Sequence, residues 1–330
     1  MGMLPVERLS PGIPFAVIVL DLFGPYLIKG EVQKRTTSKV WGVIFVDIVS
    51  RAVHIEITTG YDTQSFMIAF RRYASVRGWP SRIYSDPGTQ LVGASAEVSS
   101  MWKSFEESDT IKASLSRSGT EWIFGPADSP WHQGAAEALI KSAKLAIKTS
   151  VGESRLSFSE LLTSFSEVAN LLNERPIGLM PAADNGLSIL TPNQLILGRS
   201  TSVNPGDYHV PCSVMSRVTM VNDVVNDFWN NWTELYLPTL IRQRKWTQEF
   251  RSIRVGDIVY VADSNVVRGE YRLARVIEVH PGSDGIVRRV TVRYVIYKSI
   301  GKDMKLRDGR IISVERSVQR LALIVPVEEQ

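Results

Sequence analysis

Two apolar runs in this chain each end in an aspartate, and that pairing narrows the folds open to it more than any other feature. FAVIVLDLFGP carries Asp21 at the end of a run apolar enough to be a buried strand, and SRIYSDPGTQLVGA carries Asp86 at the end of a shorter one. A carboxylate at the end of a buried strand is costly unless it is paired or binds a cation. A third acid, Glu137, stands at the start of a helical pattern, HQGAAEALIKSAKLAIK. Two strand ends and one helix start can hold a pair of divalent cations, and two oxygen-bound metals about 4 Å apart suit the cutting and joining of phosphodiesters. Magnesium fits such a set, because it takes a few carboxylates and shares its other ligands with phosphate and water. Taken singly, each acid has a plainer reading. Asp21 precedes Gly24-Pro25 and would begin a turn, Asp86 lies in the turn sequence SDPG, and Glu137 is a first-turn residue favoured by the helix dipole. Asp47, at the end of the run KVWGVIFVDIV, is a weaker acid candidate expected near the sheet edge.

The helix after Glu137 carries a second pattern. Lys141, Lys144 and Lys148 follow at offsets of 4, 7 and 11, which keeps all four residues on one face. A carboxylate and three lysines on one stripe would set phosphate-binding charge beside the metals. The plainer reading is a surface Glu-Lys pair with solvated lysines. Leu139, Ile140, Ala143 and Ile147 supply the apolar side.

Charge is unevenly placed. The 330 residues carry a net +4, and from Gln248 onward there are 15 Lys and Arg against 11 Asp and Glu, so the whole excess lies in the last quarter. A locally basic module suits a polyanion. Apolar residues make up 44% of the chain, enough for a sizeable core, and no apolar run approaches the ~18 residues of a membrane span. The first residues lack the basic, apolar and small-residue succession of a signal peptide. Cys212 is the one cysteine, which excludes an intrachain disulfide and a cysteine-rich zinc site and fits a reducing compartment.

Periodicity sets the expected organisation. Residues 1–14 form an extended arm. Residues 15–200 hold strands at FAVIVLDLF, KVWGVIFVDIV, RAVHIEIT, SRIYSD and TEWIFG. Helices are expected at TQSFMIAFRRYASVRG, with Phe66, Ala69, Phe70 and Tyr73 on one face and Gly78 as a stop, and over about 93–107, from Glu137, and over about 157–174 before Pro176. That succession predicts a ribonuclease-H-like layered α/β core, a mixed sheet flanked by helices. Residues 201–247 form a helical linker, two helices or one kinked at Pro238. Residues 248–330 form a small all-β barrel, with HPGSDG as a hairpin turn. In RRVTVRY, Arg289 and Arg293 share one strand face and Arg288 points the other way.

Read in order, LPVERLSPGIPF, DLFGPY, VDIVSRAVHIE, SDPGTQLVGA, EWIFGPADSPWHQGAAEALIKSAK, LLNERPI and LTPNQLILGR resemble the integrase region of a BEL/Pao-type retrotransposon polyprotein, over about residues 4–322. The resemblance implies that Asp21, Asp86 and Glu137 are the acidic triad of a retroviral-type integrase core, holding two Mg²⁺ or Mn²⁺ ions. It implies end trimming and strand transfer of element DNA into target DNA, and a C-terminal barrel that binds DNA. Gln133, in the loop before Glu137, would touch the DNA end, and Lys141, Lys144, Lys148, Arg289 and Arg293 would hold phosphates. A catalytically silent DNA-binding descendant is the alternative. Concerted joining of two DNA ends needs two active sites, so a homo-oligomer is expected, with no membrane partner, in the nucleus or a cytoplasmic retrotransposon particle. The flanks depart from the family at SDPG, where Asn-Gly is common after the acid, and at SPWHQGAAE; neither change removes a carboxylate. The related polyproteins carry an upstream zinc-binding His/Cys segment that this sequence lacks, so a fragment or a shortened form is expected.

Overall fold

The computed structural model describes residues 12–30, 37–86, 91–97, 120–124, 134–181, 187–199, 216–240, 252–261, 268–269, 271–300 and 304–329. The chain packs as two compact units. The first comprises Met1–Asn173 with Met215–Val225, and the second Glu174–Val214 with Asn226–Gln330.

In the first unit a five-stranded sheet runs in the order β3-β2-β1-β4-β5. Its strands are β1 (Val17–Lys29), β2 (Thr37–Asp47), β3 (Val53–Thr58), β4 (Arg82–Ser85) and β5 (Glu121–Phe124). β1 pairs antiparallel with β2, and β2 with β3, whereas β1 with β4 and β4 with β5 are parallel. Three antiparallel strands followed by two parallel ones, with helices α1 (Thr63–Arg77), α3 (Gly134–Val151) and α4 (Phe158–Asn173), make the mixed ribonuclease-H-like sheet expected from the sequence. Residues 91–97 are helical as well (α2), at the start of the helix expected over 93–107, whose remainder lies outside the described residues.

β1 is the central strand, and Ile18, Val19 and Leu20 are all buried. Burial on both faces explains why FAVIVL shows no alternation. β1 runs on through Gly24-Pro25 to Lys29, with its register against β2 shifting between Phe23 and Tyr26. Gly42 on β2 must be glycine, because a Cβ there would come within 2.2 Å of the Phe23 ring. α1 forms as its pattern dictates. The Asp62 side chain accepts from Ser65 N–H at the N-cap, Gly78 at φ 88° closes the last turn, and Phe66, Ala69, Phe70 and Tyr73 are buried. Tyr73 stacks on Phe45 of β2 with centroids 4.0 Å apart. In α3, Leu139, Ile140, Ala143 and Ile147 are buried, as the sequence indicated.

Asp47 corrects an expectation. β2 is an interior strand, and Asp47 closes its end fully buried rather than near the sheet edge. Its carboxylate accepts from Phe15 N–H, Ser50 N–H and the Ser50 hydroxyl. Burial pushes this carboxyl above its ordinary value, and those hydrogen bonds oppose the rise. Asp47 therefore ties the β2–β3 turn to the residues just before β1, and both its oxygens are engaged in those contacts.

The second unit holds a two-stranded pair, β6 (Gly178–Pro181) with β7 (Leu187–Leu190), and a short capped helix, α5 (Pro192–Leu197). Its larger sheet has the order β11-β10-β9-β8-β12, from β8 (Ile258–Val261), β9 (Leu273–Pro281), β10 (Val287–Ile300), β11 (Met304–Ser317) and β12 (Leu321–Val325). β6, β7 and β11 were not legible in the sequence. β11 contains KLRDGR, whose charges and glycine obscure its alternation. The core of this sheet is Val259, Val261, Ala274, Val276, Val290, Val292 and Leu321. Among the described residues its outer strands are β11 and β12, so it is an all-β sheet whose closure into a barrel is not part of the observed pairing. α6 (Ser216–Leu240) is one helix through Pro238, which resolves the choice between two helices and one. From Asn226 onward it belongs to the second unit. There the fully buried Trp232 donates from Nε1 to the Tyr271 hydroxyl at 2.8 Å, and Trp229 meets the Tyr271 ring edge-on.

Candidate active site

The parallel pairing of β1 with β4 decides where the two aspartates stand. Val17 pairs with Arg82, Ile18 with Ile83 and Val19 with Tyr84, a constant offset of 65 residues. Carried two residues further, the same offset sets Asp86 beside Asp21, on neighbouring strands about 4.8 Å apart. By alternation both share the face of Val19 and Tyr84. Asp21 pairs with Ile44 of β2 and lies inside a continuous strand, so it does not begin a turn. Asp86 follows the last residue of β4 and is exposed.

The end of β4 is held from the side. Trp122 on β5 donates from Nε1 to the Ser85 hydroxyl at 2.9 Å, and Ser85 Oγ lies 3.3 Å from the Asp86 carbonyl oxygen. Ser85 is buried. The sequence marked neither Ser85 nor Trp122; the legible signal was only that each sits in a strand next to the site.

Lys144 of α3 reaches the site directly. Its ammonium group donates to Asp21 Oδ2, and to the Leu22 carbonyl oxygen at 3.0 Å. The two side chains retain 24% and 37% of their exposure, so water screens the pair and its net stabilisation is about 0–1 kcal/mol. Its importance is positional. The stripe that carries Lys144 faces the Asp21 end of β1, and Glu137 lies two turns earlier on that stripe, about 10 Å along the helix axis. The Glu137 backbone is in the first turn of α3 as expected; its side chain, and all of Gln133, lie outside the described residues.

The stripe continues past Lys144. Lys148 lines an open cleft of about 640 Å³ with Pro25, Tyr26, Leu27, Ser154 and Arg155. Lys141 is exposed. Among the described residues no three His, Cys, Asp or Glu side chains cluster as a metal site. Side by side, the Asp21 and Asp86 carboxylates would supply hard oxygen donors, and the Lys144 ammonium now occupies one oxygen of Asp21. The donor chemistry fits a divalent ion.

The C-terminal arginines differ in their partners. Arg288 bridges to Asp284 within the hairpin turn. Arg289 is ion-paired with Glu315 at 2.7 Å. Arg293 is exposed on the same face, and its cross-strand neighbour on β9 is Arg275. Arg289 and Arg293 thus share one face, as alternation indicates, and Arg289 has Glu315 as its acidic partner.

A charged group was also missed. Glu160, buried at the start of α4, forms a capping box with Ser157 and ion pairs with Lys29 of β1 and Arg217 of α6. Only the Ser-x-x-Glu spacing was legible.

Residues 216–324 match the model of a family of unknown function, DUF5641. Curated proteins give no match. Among solved structures, the HTLV-2 integrase catalytic core in complex with magnesium, in dimeric and trimeric forms, is 16% identical, with 56% of this chain and 97% of that chain covered and a TM-score of 0.34. The simian T-cell lymphotropic virus intasome in complex with the PP2A regulatory subunit B56 gamma is 11% identical, with 98% of this chain and 84% of that chain covered and a TM-score of 0.35. These similarities are low, and the fold assignment stands on strand order and register. No described helix is long and apolar enough to cross a membrane.

Proposed function

We propose that this chain is an integrase-like DNA-processing protein of the BEL/Pao retrotransposon type, trimming element DNA ends and transferring them into target DNA. The observation that supports it best is the β1–β4 register, whose 65-residue offset, carried two residues past the last pair, would bring Asp21 and Asp86 side by side. In this reading Asp21 and Asp86 supply oxygen ligands to Mg²⁺ or Mn²⁺, and Glu137 completes the set from α3. A bound divalent cation there would supply charge neutralisation for a phosphodiester and acidify a coordinated water. Lys144, released from Asp21, would hold a DNA phosphate beside the reacting centre, and Lys141 and Lys148 would extend that hold along the backbone. Gln133, ahead of α3, would meet the DNA end. A homo-oligomer would bring two such sites to two DNA ends, in the nucleus or a cytoplasmic retrotransposon particle.

The Lys144–Asp21 ion pair favours a second reading, a DNA-binding descendant whose metal site is silenced by its own lysine. One experiment separates the two. The full chain is incubated with blunt and with pre-trimmed DNA ends, with Mg²⁺, Mn²⁺ or EDTA. Metal-dependent trimming and joining, lost in Asp86→Asn, supports the integrase. DNA binding without any metal-dependent product in the same preparation supports the silent descendant.

A further inference from the structure

The turn that follows α3 helps to build the cleft that Lys148 lines. α3 ends at Val151, Gly152 takes a left-handed φ of 50°, and its N–H donates to the Lys148 carbonyl oxygen. Ser154 N–H donates to the Val151 carbonyl oxygen, and Lys29 N–H of β1 donates to the Leu156 carbonyl oxygen. The turn is thereby held to α3 at one end and to β1 at the other. β1 contributes Pro25, Tyr26 and Leu27 to the cleft of about 640 Å³, α3 contributes Lys148, and the turn contributes Glu153, Ser154 and Arg155. Lys148, Glu153 and Arg155 are all exposed, and neither cation is ion-paired with a carboxylate among the described residues. Other cations of this unit are taken, Lys144 by Asp21, and Lys29 and Arg217 by Glu160. Two cations against one carboxylate leave the cleft net positive. It also lies where two elements lead away from the candidate active site. Lys148 is one turn past Lys144 on α3, about 6 Å along the axis, and Pro25 is four residues past Asp21 on β1.

We propose that this cleft is a phosphate-binding stretch of the DNA path, in which Lys148 and Arg155 hold neighbouring backbone phosphates of one strand as it leaves Asp21, with the Ser154 hydroxyl as a further donor. Taken singly, Lys148 is a helix-end cation favoured by the dipole of α3, and Arg155 is a solvated turn residue. Their convergence on one cleft, at the end of the stripe that begins beside Asp21, gives them a common ligand. The Arg155 guanidinium presents a planar fork of N–H donors that matches phosphate oxygens, and the Lys148 ammonium acts as a point charge. Glu153 opposes the ligand and sets a limit on affinity. The proposal rests on the DNA reading above but not on metal chemistry. It adds Arg155, which lies beyond the lysine stripe in a turn that sequence pattern left unmarked.

The test uses the full chain in EDTA, so the catalytic reading does not enter. Binding of two DNA duplexes of unrelated sequence is followed by fluorescence anisotropy across a salt series. The proteins are the wild type, Lys148→Ala, Arg155→Ala, Arg155→Lys, Glu153→Gln and Lys144→Ala. Lys148→Ala and Arg155→Ala are each expected to weaken binding by about 3–10-fold on both duplexes, and to lower the salt slope by about one. Arg155→Lys keeps the charge, so it should retain most of the affinity and the full slope. Glu153→Gln should tighten binding by about two-fold, a change of sign that a merely structural role for this turn would not produce. Unchanged affinity and slope in Arg155→Ala, with Lys144→Ala still lowering the slope, overturns the cleft and leaves the DNA reading standing. A loss confined to one duplex overturns the assignment to phosphate, because backbone contacts do not read sequence. A wild type without salt-sensitive DNA binding overturns the DNA reading itself, and this proposal with it.

Discussion

Glu160→Gln puts a number on the charge network that ties β1, α4 and α6 together. Glu160 is only 4% exposed. Its Oε2 accepts from Ser157 N–H at 2.7 Å and lies 3.3 Å from Lys29 Nζ, and its Oε1 accepts from Arg217 Nε at 2.5 Å. Burial pushes the carboxyl up, but the Ser157 amide, then Arg217 and Lys29, more than offset this and hold it at about 2, against an ordinary 4.5. A folded value below the unfolded one makes this stabilisation fully present above about pH 4.5 and lost as the pH falls toward 2. The difference between the two values corresponds to about 3 kcal/mol at pH 7. At pH 3 the same two values leave about 1.4 kcal/mol. Glutamine keeps the shape and an acceptor for Ser157, so the substitution isolates the charge. The chain has two compact units, so a single unfolding free energy is not well defined. The assay is therefore urea unfolding read by pulsed hydrogen exchange on peptides from β1 and α4. The expected gap between wild type and variant is about 2–3 kcal/mol at pH 7, shrinking by about half or more at pH 3. A gap that stays constant between the two pH values, or is absent at pH 7, would refute the reasoning.

Three further outcomes are expected. Mg²⁺ or Mn²⁺ should raise the melting temperature of the first unit, because a cation relieves the repulsion of converging carboxylates; differential scanning fluorimetry of Asp86→Asn should show most of that rise gone. Lys144→Ala should bind Mn²⁺ a few-fold more tightly in calorimetry without DNA, since the competing ammonium is removed, and should bind duplex DNA with a salt slope lower by about one. A fragment spanning residues 226–330 should fold, whereas residues 248–330 alone should be less stable by several kcal/mol, because the buried Trp232 and its hydrogen bond to Tyr271 are lost; circular dichroism melts of the two fragments decide this.

Local pattern was sufficient wherever one segment alone determines the outcome. The α1 face of Phe66, Ala69, Phe70 and Tyr73 with its Gly78 stop, the buried run of β1, and the lysine stripe of α3 all follow from period and capping, and all stand in the structure. Pattern also nominated Asp21 and Asp86, as acids at the ends of apolar runs. What it could not supply is register, because register depends on which residues of distant segments lie opposite one another. The 65-residue offset between β1 and β4, carried two residues past Val19 and Tyr84, is what would bring Asp21 and Asp86 side by side. The antiparallel ladders make Arg275, rather than Arg289, the neighbour of Arg293, and give Glu315 to Arg289. Burial is equally non-local. Asp47 reads as one more acid after an apolar run, yet an interior strand and the β2–β3 turn enclose it, and its hydrogen bonds leave it a structural residue. The chain's own sequence thus determined which elements form and which side chains carry charge, since those depend on neighbours a few residues away. The tertiary structure decided which charges meet, because a strand's partner is fixed by packing across the sheet.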